Sequence, residues 1–119
     1  MVKQLNVKEA EKLLAKYDIP FPKSQLAKTK KDASAFAKKI GYPVVLKVSS
    51  EEIIHKSDVG GVKINLKNQD ELEKAYEEIM QGCKGKKVDG ILVQEMVEGI
   101  YVLIGMKRDA TFGPVMAFG

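Results

Sequence analysis

Apolar residues recur at helical spacing in three stretches of the chain. Val7, Ala10, Leu13, Leu14 and Tyr17 fall on one face, with Asn6 placed to cap the first turn. Ala33, Phe36, Ala37 and Ile40 repeat the pattern, and Gly41 followed by Pro43 supplies the stop. Leu72, Ala75, Tyr76, Ile79 and Met80 form a third stripe, opened by Asn68 and Glu71 in capping-box spacing and closed near Gly82.

The remaining apolar runs read as strands. "PVVLKV" (43–48) is β-branched, and in "GVKINLK" (61–67) Val62, Ile64 and Leu66 alternate with polar residues. "DGILVQEMV" (89–97) and "YVLIGMK" (101–107) flank Glu98-Gly99, which predicts a hairpin between them. "FGPVMAF" (112–118) predicts another strand, with Pro114 at an edge or at its beginning. A short extended piece is expected near "PKSQLAK" (22–28), and "LAKTKKDA" is at most a linker between the first two helices. Helices mixed with adjacent strand pairs predict an α+β domain, with a mainly antiparallel sheet and about three helices packed on it.

Composition adjusts this picture little. The 119 residues suit one compact unit with a real core, or part of a larger protein. The single cysteine, Cys83, excludes an internal disulfide and a thiolate metal cluster. With no apolar leader at the N-terminus and no apolar run of spanning length, a soluble, cytoplasmic protein is expected, with no membrane partner. The net charge of +4 comes from lysines scattered among glutamates, as in "KEAEKLL". Such faces are solvated, and no basic motif interleaved with aromatics argues for nucleic acid.

One loop carries the chemistry. The strands at 43–48 and 61–67 are separated by "SSEEIIHKSDVG", twelve residues where a hairpin commonly uses two to five. It holds His55, the one histidine, an imidazole that can be neutral near pH 7 and act as nucleophile, base or ligand. Lys56 adds a charge, Ser57 a hydroxyl, and Gly60-Gly61 a backbone able to approach an anion at positive φ. A solvated histidine and a simple glycine turn fit the same residues. Lys47, the one charge in "PVVLKV", faces away from Leu46 and Val48, toward water or toward a phosphate. No second His or Cys lies at ligand spacing, so no metal site is expected within these residues.

Together "GYPVVLKVSSEEIIHKSDVGGVKINL", "ILVQEMVEG" and "IGMKRDATFGPVMAFG" resemble the nucleotide-binding domain of ADP-forming acyl-CoA (acetyl-CoA) synthetase, an ATP-grasp enzyme. The resemblance covers essentially the whole chain, and "HKSDVGGV" and "GMKRD…FGPV" are its specific parts. It implies an acid–CoA ligase interconverting acyl-CoA, ADP and phosphate with acid, ATP and CoA. His55 resembles the relaying phosphohistidine of that family. Lys47 resembles the lysine on the nucleotide phosphates, and Gly60 and Gly61 the loop over them, with Lys56 and Ser57 as helpers. Glu95, Met96 and Val97 resemble the adenine hinge, and Glu98 a ribose contact.

The implied cofactors are ATP/ADP and Mg²⁺, and the implied partner is a CoA-binding alpha subunit, separate or fused. Tyr101 stands where the family usually has an acid. The chain stops at "PVMAFG" just after an apolar strand, so residues 1–119 are expected to be the first ATP-grasp subdomain, with the Mg²⁺ ligands in a second subdomain outside it. The alternatives are another ATP-grasp CoA ligase of succinyl-CoA synthetase type and a non-catalytic regulatory module.

Overall fold

The computed structural model describes residue 5 and residues 7–53 and 59–119. Its elements are α1 (Val7–Lys16), β1 (Ser24–Ala27), α2 (Lys30–Ile40), β2 (Val44–Ser49), β3 (Val62–Leu66), α3 (Gln69–Gly82), β4 (Gly90–Glu95), β5 (Ile104–Asp109) and β6 (Gly113–Phe118). Helices and strands fall close to where periodicity puts them. The Asn6 cap lies outside the described residues.

The helix starts follow local chemistry. Thr29 Oγ1 accepts the Asp32 amide at 3.1 Å, and Asn68 Oδ1 accepts the Glu71 amide at 2.9 Å, so each side chain satisfies an orphan donor of a first turn. The Glu71 carboxylate completes the box one residue early, accepting from the Lys67 amide at 2.7 Å. At the far end of α2, Gly41 donates its amide to the Ala37 carbonyl at 2.8 Å.

Four strands form one sheet in the order β1-β4-β2-β3, with every neighbouring pair antiparallel. Alternation sends Val44, Leu46, Val48, Ile91, Val93 and Ala27 to one face. There they meet Ala33 and Ala37 of α2 and Leu72, Ala75 and Ile79 of α3 in a single buried cluster. The small alanines of α2 let that helix approach the sheet closely. Asn65 adopts φ +56 at a β2–β3 bulge and turns Leu66 to the core opposite Val44.

Two expectations are corrected. The hairpin through Glu98-Gly99 does not form: both edges of β4 are already hydrogen-bonded, to β1 and to β2, and leave no ladder for β5. β5 pairs instead with β6 in a separate two-stranded sheet, and Leu103 and Gly119 extend that ladder with bonds of 2.6 and 2.9 Å. The "LAKTKKDA" linker is also mostly ordered structure, since Leu26 and Ala27 belong to edge strand β1 and Lys30 begins α2.

α1 is the least buried helix. Leu13 and Tyr17 of its apolar face are exposed. It hangs on β1, where the Ser24 hydroxyl donates to Glu11 and the Lys8 ammonium reaches the Ser24 carbonyl at 3.5 Å.

Candidate functional site

The second face of the four-stranded sheet carries Val45, Lys47 and Ser49 of β2 beside Gly90, Leu92 and Gln94 of β4. Neither α2 nor α3 lies on this side, because both pack on the Leu46 face. Val45 and Leu92 are buried at 7% and 3% exposure yet stand outside the main core cluster. They make an apolar floor, and Lys47 rises from it, half-buried, paired across the strands with Leu92 and with Val62. A flat aromatic ring over such a floor, with a cation at its margin for an anionic group, is the chemistry this face can offer.

One backbone bond fixes the root of the long loop beside Lys47. The Val48 amide donates to the Gly61 carbonyl at 2.8 Å, closing β2 on β3. Gly60 sits at φ +68, a conformation that other residues rarely adopt. Gly61 is buried and holds the ladder, so the backbone freedom expected of the pair belongs to Gly60 alone. His55, Lys56 and Ser57 lie outside the described residues.

The other end of the floor is the strand exit at Glu95. Its amide donates to the Lys23 carbonyl at 2.8 Å, and its Oε1 accepts the Lys23 amide at 3.2 Å. Glu95 lies opposite Val44, on the core-face register, so its carboxylate ties down the start of β1 on the side opposite Lys47. Met96 and Val97 lie past the last ladder pair. Glu98 and Tyr101 beyond it are exposed.

A concavity of about 570 Å³ lies elsewhere, between α2 and α3, lined by Lys30, Lys31, Lys38, Tyr42 and Glu73 among others. Lys30 is bonded there to Glu77 at 2.7 Å, which raises its pKa, while burial and then Glu73 push the Tyr42 phenol up. This groove is on the far side of the sheet from Lys47 and its apolar floor, which form the candidate site. Periodicity pointed to Lys47. It did not distinguish Val45 and Leu92, whose strands read as continuous apolar runs with no sign of a second face.

Among the described residues no three His, Cys, Asp or Glu side chains stand close enough to hold a metal ion, and no helix is long and apolar enough to cross a membrane.

A family model described as an ATP-grasp domain matches residues 2–119. The chain is 45% identical over 116 residues to the acetate–CoA ligase (ADP-forming) I subunit beta of Pyrococcus furiosus, covering 93% of this chain and 50% of that one. It is also similar to the solved structure of Ca. Korarchaeum cryptofilum dinucleotide forming acetyl-coenzyme A synthetase 1 in complex with coenzyme A, Ca-AMPCP and HgCl⁺. There the TM-score is 0.86 at 44% identity, covering 94% of this chain and 51% of that one. A second structure of that synthetase holds coenzyme A and Mg-AMPPCP, with its phosphohistidine segment pointing towards the nucleotide binding site. It matches with a TM-score of 0.74 at 42% identity, over 94% of this chain and 47% of that one. The chain thus spans about half the length of these relatives.

Proposed function

The chain belongs to the ATP-grasp family, and from that premise we propose that it is the nucleotide-binding part of an ADP-forming acyl-CoA synthetase in which His55 relays a phosphoryl group to ADP. The single observation that supports this most is placement. The segment carrying His55 leaves and rejoins the sheet at β2 and β3, the two strands that hold Lys47 opposite Val62 at the margin of the apolar floor.

The steps end on this chain's own groups. A histidine of the CoA-binding part first takes the phosphoryl group from an acyl phosphate, and a ring nitrogen of His55 then attacks that phosphorus; the new P–N bond forms as the P–N bond to the first imidazole breaks and its electron pair returns to that ring. A terminal phosphate oxygen of ADP then attacks the same phosphorus. The P–N electron pair returns to the imidazole, and ATP is released. Lys47, with Lys56 and Ser57, offsets the negative charge on the transferring oxygens, and the Gly60 backbone approaches them closely. The adenine lies on Val45 and Leu92 with its polar edge on the Met96–Val97 backbone, and Glu98 takes a ribose hydroxyl.

A divalent cation supplies charge neutralisation in such transfers. The family resemblance places its ligands in a second subdomain outside residues 1–119. A CoA-binding subunit or domain would supply the phosphohistidine from which His55 takes the phosphoryl group. The exposed apolar side chains of β5 and β6, Met106, Met116 and Phe118 among them, fit a surface that the second subdomain covers.

The test is His55→Asn in the complete enzyme containing this chain. Acyl-CoA-dependent ATP synthesis and alkali-stable phosphate incorporation from ATP are both expected to vanish, while nucleotide binding persists. Undiminished synthesis by the variant sinks the relay.

A further inference from the structure

Where β4 leaves the sheet, its last ladder bond is made in an irregular way. Ser24 to Ala27 pair with Gln94 to Ile91, and the ladder runs one step further, where the Glu95 amide donates to the Lys23 carbonyl at 2.8 Å. In a regular antiparallel pair of this kind the two residues exchange both backbone bonds, so the Lys23 amide would return to the Glu95 carbonyl. It goes instead to Oε1 of the Glu95 side chain, at 3.2 Å. The carboxylate stands in for the carbonyl of its own residue and leaves that carbonyl out of the β1–β4 ladder. Glu95 lies opposite Val44 on the core-face register, so the exchange is made on the side away from Lys47. The start of β1 has other ties as well: the Ser24 hydroxyl donates to Glu11, and the Lys8 ammonium reaches the Ser24 carbonyl at 3.5 Å.

We propose that Glu95 is a positioning residue for base recognition, its carboxylate occupying the Lys23 amide so that the Glu95 carbonyl stays available to the exocyclic amine of an adenine. This rests on the functional reading above, which lays the base on Val45 and Leu92 with its polar edge at Met96 and Val97. The Glu95 carbonyl belongs to the peptide that leads into that edge. Bonded to Lys23, it would be held in the plane of the sheet, aimed at β1 and away from a base on the Lys47 face. Released from the ladder, it is an acceptor that discriminates between bases. Adenine presents an N6 donor where guanine and hypoxanthine present an O6 acceptor. Two acceptors brought face to face are both left unpaired, so such a site selects against the 6-oxo bases.

The experiment measures ADP and inosine diphosphate binding to the complete enzyme by calorimetry. The wild type is expected to prefer ADP roughly tenfold or more. Glu95→Ala lets the Lys23 amide close the ladder on the carbonyl. ADP affinity should then fall about fivefold while inosine diphosphate affinity holds within about twofold, which narrows the preference. Glu95→Gln keeps an acceptor oxygen and should keep the preference. Lys23→Pro removes the competing amide at the entry to an edge strand, where proline is tolerated, so adding it to Glu95→Ala should restore the preference. Should Glu95→Ala melt below assay temperature, Glu95→Leu, of similar bulk and without an acceptor, is read by the same criteria. An equal loss for both nucleotides would show a merely structural role and overturn the proposal. So would an unchanged preference in Glu95→Ala, or one that glutamine loses or proline fails to restore. A wild type that binds no ADP would instead overturn the nucleotide-binding reading, and this proposal with it.

Discussion

Lys47 stands directly across the β2–β4 ladder from Leu92, on the sheet face that carries neither α2 nor α3. A cation beside an apolar floor is suited to a ligand with a flat ring at one end and phosphates at the other. Replacement by methionine keeps the aliphatic stem and removes only the charge. Charge-assisted hydrogen bonds contribute about 1.5–3 kcal/mol, so Lys47→Met should weaken ADP binding roughly 10- to 100-fold. Titration calorimetry on the complete enzyme reads the affinity. A melting curve that stays within a few degrees separates lost binding from lost fold.

Leu72 tests the other face. It is fully buried on α3, within the cluster that joins both helices to the sheet. Truncation to alanine removes its transfer energy and leaves a cavity among residues already at close packing, which costs about 2–5 kcal/mol. Urea unfolding of Leu72→Ala should show a lower midpoint with an unchanged slope. Met80, exposed on the same helix, should tolerate alanine with less than about 0.5 kcal/mol of change.

The contrast between these two residues also measures what the sequence made legible. Helical periodicity put Leu72 and Met80 on one stripe, but the stripe is wider than the contact, and only the sheet decides where burial stops. The helix caps at Thr29 and Asn68 are local events, within three residues of their partners, and Asn68 was readable for that reason. Lys47 was readable because it is the lone charge in its strand. The false hairpin at Glu98-Gly99 arose because a turn signal cannot report that β4 is already paired on both edges, by strands that lie far away in the chain. The grip of Glu52 on Lys87 spans 35 positions and involves a backbone group, which leaves no mark in side-chain pattern. Chemistry carried by residue type was visible; chemistry carried by juxtaposition was not.

The β5–β6 turn offers a pH test. The Asp109 carboxylate accepts the Phe112 amide at 2.9 Å and the Thr111 amide at 2.8 Å, and these two bonds hold its pKa below the ordinary aspartate value. A carboxyl whose folded pKa is depressed stabilises the fold above its unfolded pKa, near 3.9, and loses that contribution as pH falls through the lower folded value. Carbon-detected titration of Asp109 should therefore give a midpoint below about 3.9, with the Thr111 and Phe112 amide shifts moving at the same pH. Asp109→Asn should remove the coupled movement while leaving the hairpin amides visible.

Cys83 provides a chemical clock for the core. The thiol is 2% exposed at the end of α3, and burial raises its pKa against the opposing charge of Lys86. A thiol raised above its usual range is mostly protonated at neutral pH, and the thiolate is the reactive form. A disulfide exchange reagent should thus modify Cys83 only through opening of the α3–β4 connection. Two rates are expected under native conditions: a slow one in the wild type, and a faster one in Glu52→Ala, where the neighbouring Lys87 backbone has lost its side-chain acceptor. In about 6 M guanidinium both proteins should react at one common rate, since unfolding erases the burial that protects the thiol. Equal rates in the native proteins would mean that the connection keeps its order without Glu52.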